Sequence, residues 1–248
     1  MTVSRSSPAD ARPWHGPPRP SVRRLADLPI WILRPRTPKT LNCILIEGHN
    51  GLILINTGTS HAHGDAIREA ISGLTDLPVT TIVYPHHPTP SCHGTTAITD
   101  HDSAQSGKIV ILAAGRRDTV WFRGVAPNLV IDRECILAPS GVTMRLLPVG
   151  TGTVGGMNIY LPRHRVAILT DEPCMWQHRI GPDHQPDSGA PFTRAVKWFL
   201  RFPVEHLLGS HMLPLSGPEV NLVLTTYLDR AQRRRPTTTT RNGRSQHD

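Results

Sequence analysis

The sequence has no Cys-x-x-Cys pair, no Gly-x-Ser-x-Gly and no apolar run of membrane-spanning length. The first absence excludes a structural zinc ribbon. The second excludes the strained serine elbow of one large hydrolase class. The third excludes a transmembrane helix, so no membrane partner is expected. Cysteine is sparse, with four residues at 43, 92, 135 and 174, a spread that does not form a disulfide framework in a chain this long. The N-terminal segment holds arginine but lacks the apolar stretch of a secretory signal. Pro17, Pro18 and Pro20 also oppose the amphipathic helix of a transit peptide, and the expected compartment is cytoplasmic. Apolar residues reach only 38% of the 248, while Pro is abundant at 24, which places loop-rich or disordered parts outside a core.

Charge is distributed unevenly. Residues 1–24 hold five Arg (Arg5, Arg12, Arg19, Arg23, Arg24) against one Asp, and residues 229–248 hold six Arg against two Asp. These two ends account for the whole net charge of +8, leaving 25–228 without net charge. A nucleic-acid-binding domain needs a basic stripe on a folded face, so basic ends imply at most non-specific contact with anions. Three segments follow: a disordered basic arm over 1–24, one folded domain over 25–232 and a disordered basic tail over 233–248. A core of about 200 residues is large enough to stand alone.

Within the domain, the apolar run Leu28–Leu33 opens the order. Leu41–Glu47 and Leu52–Ile55 are β-branched strands joined by Gly48-His-Asn-Gly51, a hairpin signal. Ala66, Ile67, Ala70, Ile71 and Leu74 recur at helical spacing, with Gly73 weakening that helix near its end. Val79–Tyr84 and Ile109–Leu112 read as buried strands. Strands over 129–137 and 142–148 turn at Pro139-Ser-Gly141, and Met157–Leu161 and Arg165–Leu169 form another hairpin. A helix over Ala190–Phe202, a short strand His206–Gly209 and a helix over Val220–Gln232 complete the order. Strands in pairs, interrupted by helices near 65, 195 and 225, imply mixed sheets with helices packed outside.

Four blocks in order carry a family resemblance. Asn42 to Ser60, a strand, a Gly turn, a strand and then Asn56-Thr-Gly58, resembles the opening hairpin of the metallo-β-lactamase superfamily, in which an Asp stands at the place of Asn56. Val79–Tyr84 resembles the strand before that superfamily's His-x-His-x-Asp-His loop. Gly150-Thr151, Met157-Asn158 and Tyr160-Leu-Pro162, and then Gly209-Ser-His-Met-Leu-Pro214, resemble segments of its alkylsulfatase branch. The resemblance implies an α/β fold, an αββα sandwich of two mixed β-sheets with outer helices. It also implies zinc chemistry, in which the metal lowers the pKa of a bound water and polarises the leaving oxygen.

The ligand positions that the resemblance implies are only partly filled. In Tyr84-Pro-His-His-Pro-Thr-Pro-Ser-Cys-His-Gly94, His86 matches the first ligand His. Without gaps, Pro88, Pro90 and Ser91 fall on the second His, the Asp and the third His. With two residues inserted, Cys92 and His93 fall on the Asp-His pair, and both registers stay open. Gly152 replaces a ligand Glu, Asp171 falls on the bridging Glu with Glu172 beside it, and His211 keeps its match. His178 matches a His near the substrate pocket. The expected metal set is therefore His86, His87, Cys92, His93, Asp171 and His211, holding one zinc or none, with Asp171 and His178 as catalytic candidates. Each has an ordinary alternative: a His beside Pro is solvated surface, Cys92 is a small buried hydrophobe, and Asp171 caps a turn. The glycine-rich 150–155 segment leads to a strand rather than a helix and lacks a Lys-Ser/Thr, so it is not a phosphate loop. Two functions follow. One is a metal-dependent hydrolase acting on a small-molecule substrate, a sulfate or other anionic ester. The other is a catalytically inactive binding or regulatory module on the same fold. The sequence leaves the oligomeric state open.

Overall fold

A computed structural model describes residues 18–34, 41–87, 91–115, 125–151, 154–169 and 189–233. Strands β1 (Ser21–Arg24), β2 (Ile30–Arg34), β3 (Cys43–Glu47) and β4 (Leu52–Ile55) form an antiparallel run. Helix α1 (His61–Ser72) then leads to β5 (Val79–Tyr84) and the two-residue β6 (His86–His87). A short helix α2 (His101–Gln105) precedes β7 (Val110–Ala114) and β8 (Leu129–Ile131). β4, β5, β7 and β8 pair in parallel, completing a mixed sheet in the order β1-β2-β3-β4-β5-β7-β8.

The second sheet contains β9 (Cys135–Leu137), β10 (Met144–Thr151), β11 (Val154–Leu161) and β12 (Val166–Leu169). After helix α3 (Gly189–Phe199) come β13 (His206–Gly209), β14 (Leu215–Ser216) and helix α4 (Pro218–Arg233). The order is β14-β13-β12-β11-β10-β9, with β6 paired to β11. Both sheets are mixed, because β12 and β13 are parallel while their neighbours are antiparallel.

Alternation of side chains along each strand builds the layers. Ile44, Ile46, Ile53, Ile55, Val83 and Leu112 of the first sheet pack on Leu146, Met157, Ile159, Val166, Ile168 and Leu208 of the second. The opposite face of the first sheet presents Leu45, Leu52 and Leu54 to Ile67 and Ile71 of α1. The outer face of the second presents Leu147, Tyr160, Ala167 and Leu207 to Val196 and Phe199 of α3 and Val220 and Leu224 of α4. Helices thus cover both outer faces, the expected αββα sandwich. Among the described residues no helix is long and apolar enough to cross a membrane.

Two boundaries differ from the sequence expectation. Ser21–Arg24, placed in the disordered arm, forms the edge strand β1. All four of its residues are exposed, so no burial pattern marks it. Its Arg24 guanidinium lies over the Trp31 ring at 5.7 Å and its Nε donates to Leu28 O at 2.8 Å. Arginines on an edge strand also discourage further strand pairing. The expected strand 129–137 is two strands in different sheets, β8 and β9. The exposed charged run Asp132-Arg133-Glu134 between them carries the chain from one sheet to the other.

Candidate functional site

β4 and β5 end side by side, with Ile55 level with Val83. In the other sheet β12 and β13 end side by side, with Leu169 level with Gly209. These carboxyl ends meet at one edge of the sandwich: Asn56, the first residue after β4, donates through Nδ2 to Oγ of Ser210, the first residue after β13, at 3.2 Å. Crevices beyond the carboxyl ends of parallel strands are where α/β folds hold ligands.

Local chemistry fixes the turn after β4. Asn56 has φ 64° and Gly58 φ 92°, the left-handed region that Asn tolerates and Gly favours. Asn56 is 1% exposed, and its Nδ2 also donates to Asn42 O at 2.9 Å. Asn42, just before β3, donates its backbone N–H to Ser210 O at 2.6 Å and its Nδ2 to Gly209 O and Met212 O, both at 2.7 Å. The Oδ1 atoms of Asn42 and Asn56 are buried and accept no hydrogen bond from the described residues. Beneath the turn, burial pushes the Cys43 thiol pKa up to about 12, against a smaller opposite pull from a hydrogen bond with the Gly58 backbone.

The turn is locked to the segment that follows β6. Thr57 N donates to Ser91 O at 2.9 Å and Gly94 N to Gly58 O at 3.1 Å. A Cβ on Gly94 would stand 1.9 Å from Thr57 O, and one on Gly64 of α1 would stand 2.1 Å from Gly94 O, so only glycine permits this approach. Behind it, the Thr95 hydroxyl lies 3.0 Å from the Thr57 hydroxyl, 2.8 Å from that of Tyr84 and 2.8 Å from Cys92 O. The Tyr84 hydroxyl also reaches Val125 O at 2.9 Å. Burial holds the Tyr84 hydroxyl pKa well above the usual phenol range, and the hydrogen bond with Thr95 opposes this in part.

Of the sequence candidates, Cys92, His93 and His211 have described side chains. His86 and His87 form β6, whose backbone pairs with Gly156 and Gly155, and Met157 N donates to Pro85 O at 2.9 Å. The chain therefore steps from the first sheet to the second at Pro85, and the glycine-rich segment serves as its strand partner. Cys92 is buried among Ile82, Tyr84, Ile111 and Ala113 on the outer face of the first sheet. His93 is half-buried and His211 is exposed. Asp171 and His178 lie outside the described residues, and His86 and His87 are described as backbone only. Among the described residues no three His, Cys, Asp or Glu side chains gather to hold a metal. The sequence reading singled out neither the amide clamp of Asn42 on the 209–212 loop nor the hydroxyl set of Thr57, Tyr84 and Thr95. The available signal was a polar residue at each end of an apolar strand: Asn42 and Asn56 flank the hairpin.

The architecture is that of the metallo-β-lactamase fold. The chain superimposes on the stereoselective inverting sec-alkylsulfatase Pisa1 from Pseudomonas sp. with a TM-score of 0.71 and 18% identity, covering 86% of this chain and 42% of that one. It is also similar to a metallo-β-lactamase from Pontibacter korlensis, with a TM-score of 0.62, 16% identity, and 86% and 99% of the two chains covered. For the metallo-β-lactamase FIM-1 from Pseudomonas aeruginosa in its mono-zinc form the values are 0.62, 17%, 87% and 97%. The chain spans less than half the length of the alkylsulfatase. No family model matches the sequence, and no curated protein matches it.

Zinc is the metal that this fold implies, and two positions that the resemblance places at its site, Asn56 and Cys92, are engaged otherwise. Asn56 brings no charge and directs its amide N–H groups at Asn42 O and Ser210 Oγ. Cys92, a competent thiolate ligand in principle, sits in an apolar cluster instead.

Proposed function

We propose that this chain is a metallo-β-lactamase-fold binding module that works without a catalytic metal and takes a small-molecule ligand at the strand-end edge. The observation that carries this reading is the inverted polarity at Asn56. A carboxylate there would accept hydrogen bonds and balance a cation in the way metal sites need from their outer contacts. Asn56 donates instead, to Asn42 O and Ser210 Oγ, and adds no negative charge. The prolines at 88 and 90 and the burial of Cys92 in apolar surroundings point the same way.

A second reading is a single-metal hydrolase acting on a sulfate or other anionic ester, with His86, Asp171 and His211 as ligands and His178 beside the substrate. The meeting of the β4 and β5 ends with the β12 and β13 ends favours it. The sequence brings His86 two residues after β5 and His211 two residues after β13. Metal content decides between the two. Purified protein is measured by inductively coupled plasma mass spectrometry as isolated and after zinc dialysis, alongside a His86→Ala/His211→Ala variant. The binding module predicts no zinc above buffer in any sample. A stoichiometric zinc that the double variant loses would overturn it in favour of the hydrolase.

A further inference from the structure

The 209–212 segment is buried except at His211, and it is held at three carbonyls by one residue. Asn42, 2% exposed, makes three donor bonds to it, to the carbonyls of Gly209, Ser210 and Met212. These three carbonyls bracket His211. Ser210 and Met212 are buried while His211 and Leu213 are exposed, so the loop turns alternate side chains inward and outward. Asn56 closes the clamp from behind, donating to Asn42 O and to Ser210 Oγ.

The residue type follows from this geometry. Two carbonyls at 2.7 Å from one nitrogen require an NH₂ group with both hydrogens engaged, on a side chain short enough to stay buried. Asp offers only acceptors and Ser a single hydrogen. A backbone fixed at three carbonyls within four residues leaves little freedom in the Cα–Cβ direction of His211, and such support is what a contact residue needs.

We propose that Asn42 is a positioning residue that aims the His211 imidazole at a ligand on the strand-end edge. The proposal rests on the reading of that edge as the binding site. The test compares full-length wild type with Asn42→Ala by diethylpyrocarbonate modification, following each histidine separately by peptide mass spectrometry. With the clamp removed the loop loosens, and His211 should react several-fold faster while His61 and His93 keep their wild-type rates. An unchanged His211 rate would overturn the proposal. A parallel rise at all three histidines would also overturn it, because that is general loosening rather than positioning. If Asn42→Ala does not fold, Asn42→Ser, which keeps one donor hydrogen, carries the same comparison. The readout needs no ligand and no metal. Zinc in the wild type would therefore overturn the metal-free reading alone, and an unmoved His211 would overturn the positioning role alone.

Discussion

Asn42 and Asn56 show how one polar atom type decides what a buried position can do. Each amide spends its N–H groups on protein oxygens, and each leaves a buried Oδ1 that accepts no hydrogen bond from the described residues. Replacing Asn56 by Asp would install the residue type found there in the resembling family, yet it should not restore anything. The carboxylate would face Asn42 O across 2.9 Å with no hydrogen between the two oxygens. It would also place an uncompensated charge at a site 1% exposed. Losing the donor and burying the charge should destabilise Asn56→Asp by about 3 kcal/mol. Urea unfolding checks this. Stability equal to or above wild type would mean that a cation or donor meets the new carboxylate, and would count against the metal-free reading.

At the scale of elements, joints between strands and helices rest on few side chains. Asn128, just before β8, accepts from Ile111 N at 2.8 Å and donates to Ala104 O at 2.6 Å and Ile109 O at 2.8 Å. A single amide thus ties the end of α2, the start of β7 and the entry to β8. Truncation in Asn128→Ala removes three bonds worth about 1 kcal/mol each at most, so a loss of about 2 kcal/mol is expected. Hydrogen exchange should speed up at Ile111 and at neighbouring amides of β7 and β8, with β12 and β13 unchanged; uniform acceleration would refute this local role. The split of 129–137 belongs to this scale too. Both halves have strand-forming residues, and the exposed run Asp132-Arg133-Glu134 carries the chain from the sheet of one to the sheet of the other.

For the molecule as a whole, the sandwich buries ionisable groups that it must keep neutral. Cys43, in the layer between the first sheet and α1, has its pKa raised from 9.0 to about 12 by burial. The native state therefore favours the protonated thiol over the unfolded chain. That contribution is complete below pH 9 and is lost as pH rises through the window toward 12. Tyr84, raised in the same direction, adds to the alkaline loss. Denaturant unfolding followed from pH 8 upward should show stability falling by a few kcal/mol across this window. Cys43→Ala should flatten part of the fall and leave the share of Tyr84. An unchanged slope in that variant would show that the Cys43 thiolate is tolerated in the native fold.

Much of this architecture was already written in local patterns. The apolar runs at 43–47, 52–55, 79–84 and 166–169 are strands because continuous β-branched and Leu-rich segments need burial on both faces, and a sandwich with outer helices supplies it. The Ala66, Ile67 and Ile71 spacing sets the buried face of α1, and Gly73 caps it. Segment order and the Asn-Thr-Gly turn were enough to identify the fold. Pairings between distant segments were not legible. No local pattern says that exposed Ser21–Arg24 joins an edge, that His86–His87 crosses to the other sheet, or that Asn42 reaches the carbonyls around His211. The edge strand is exposed and carries no burial pattern, the other two contacts join residues far apart in sequence, and all are made by ordinary amides and carbonyls that any loop contains. Sequence determined which segments must be buried and in what order. Only the closing of one sheet on the other decided which polar groups meet at the edge, because hydrogen bonds there depend on ångström distances that composition and periodicity do not encode.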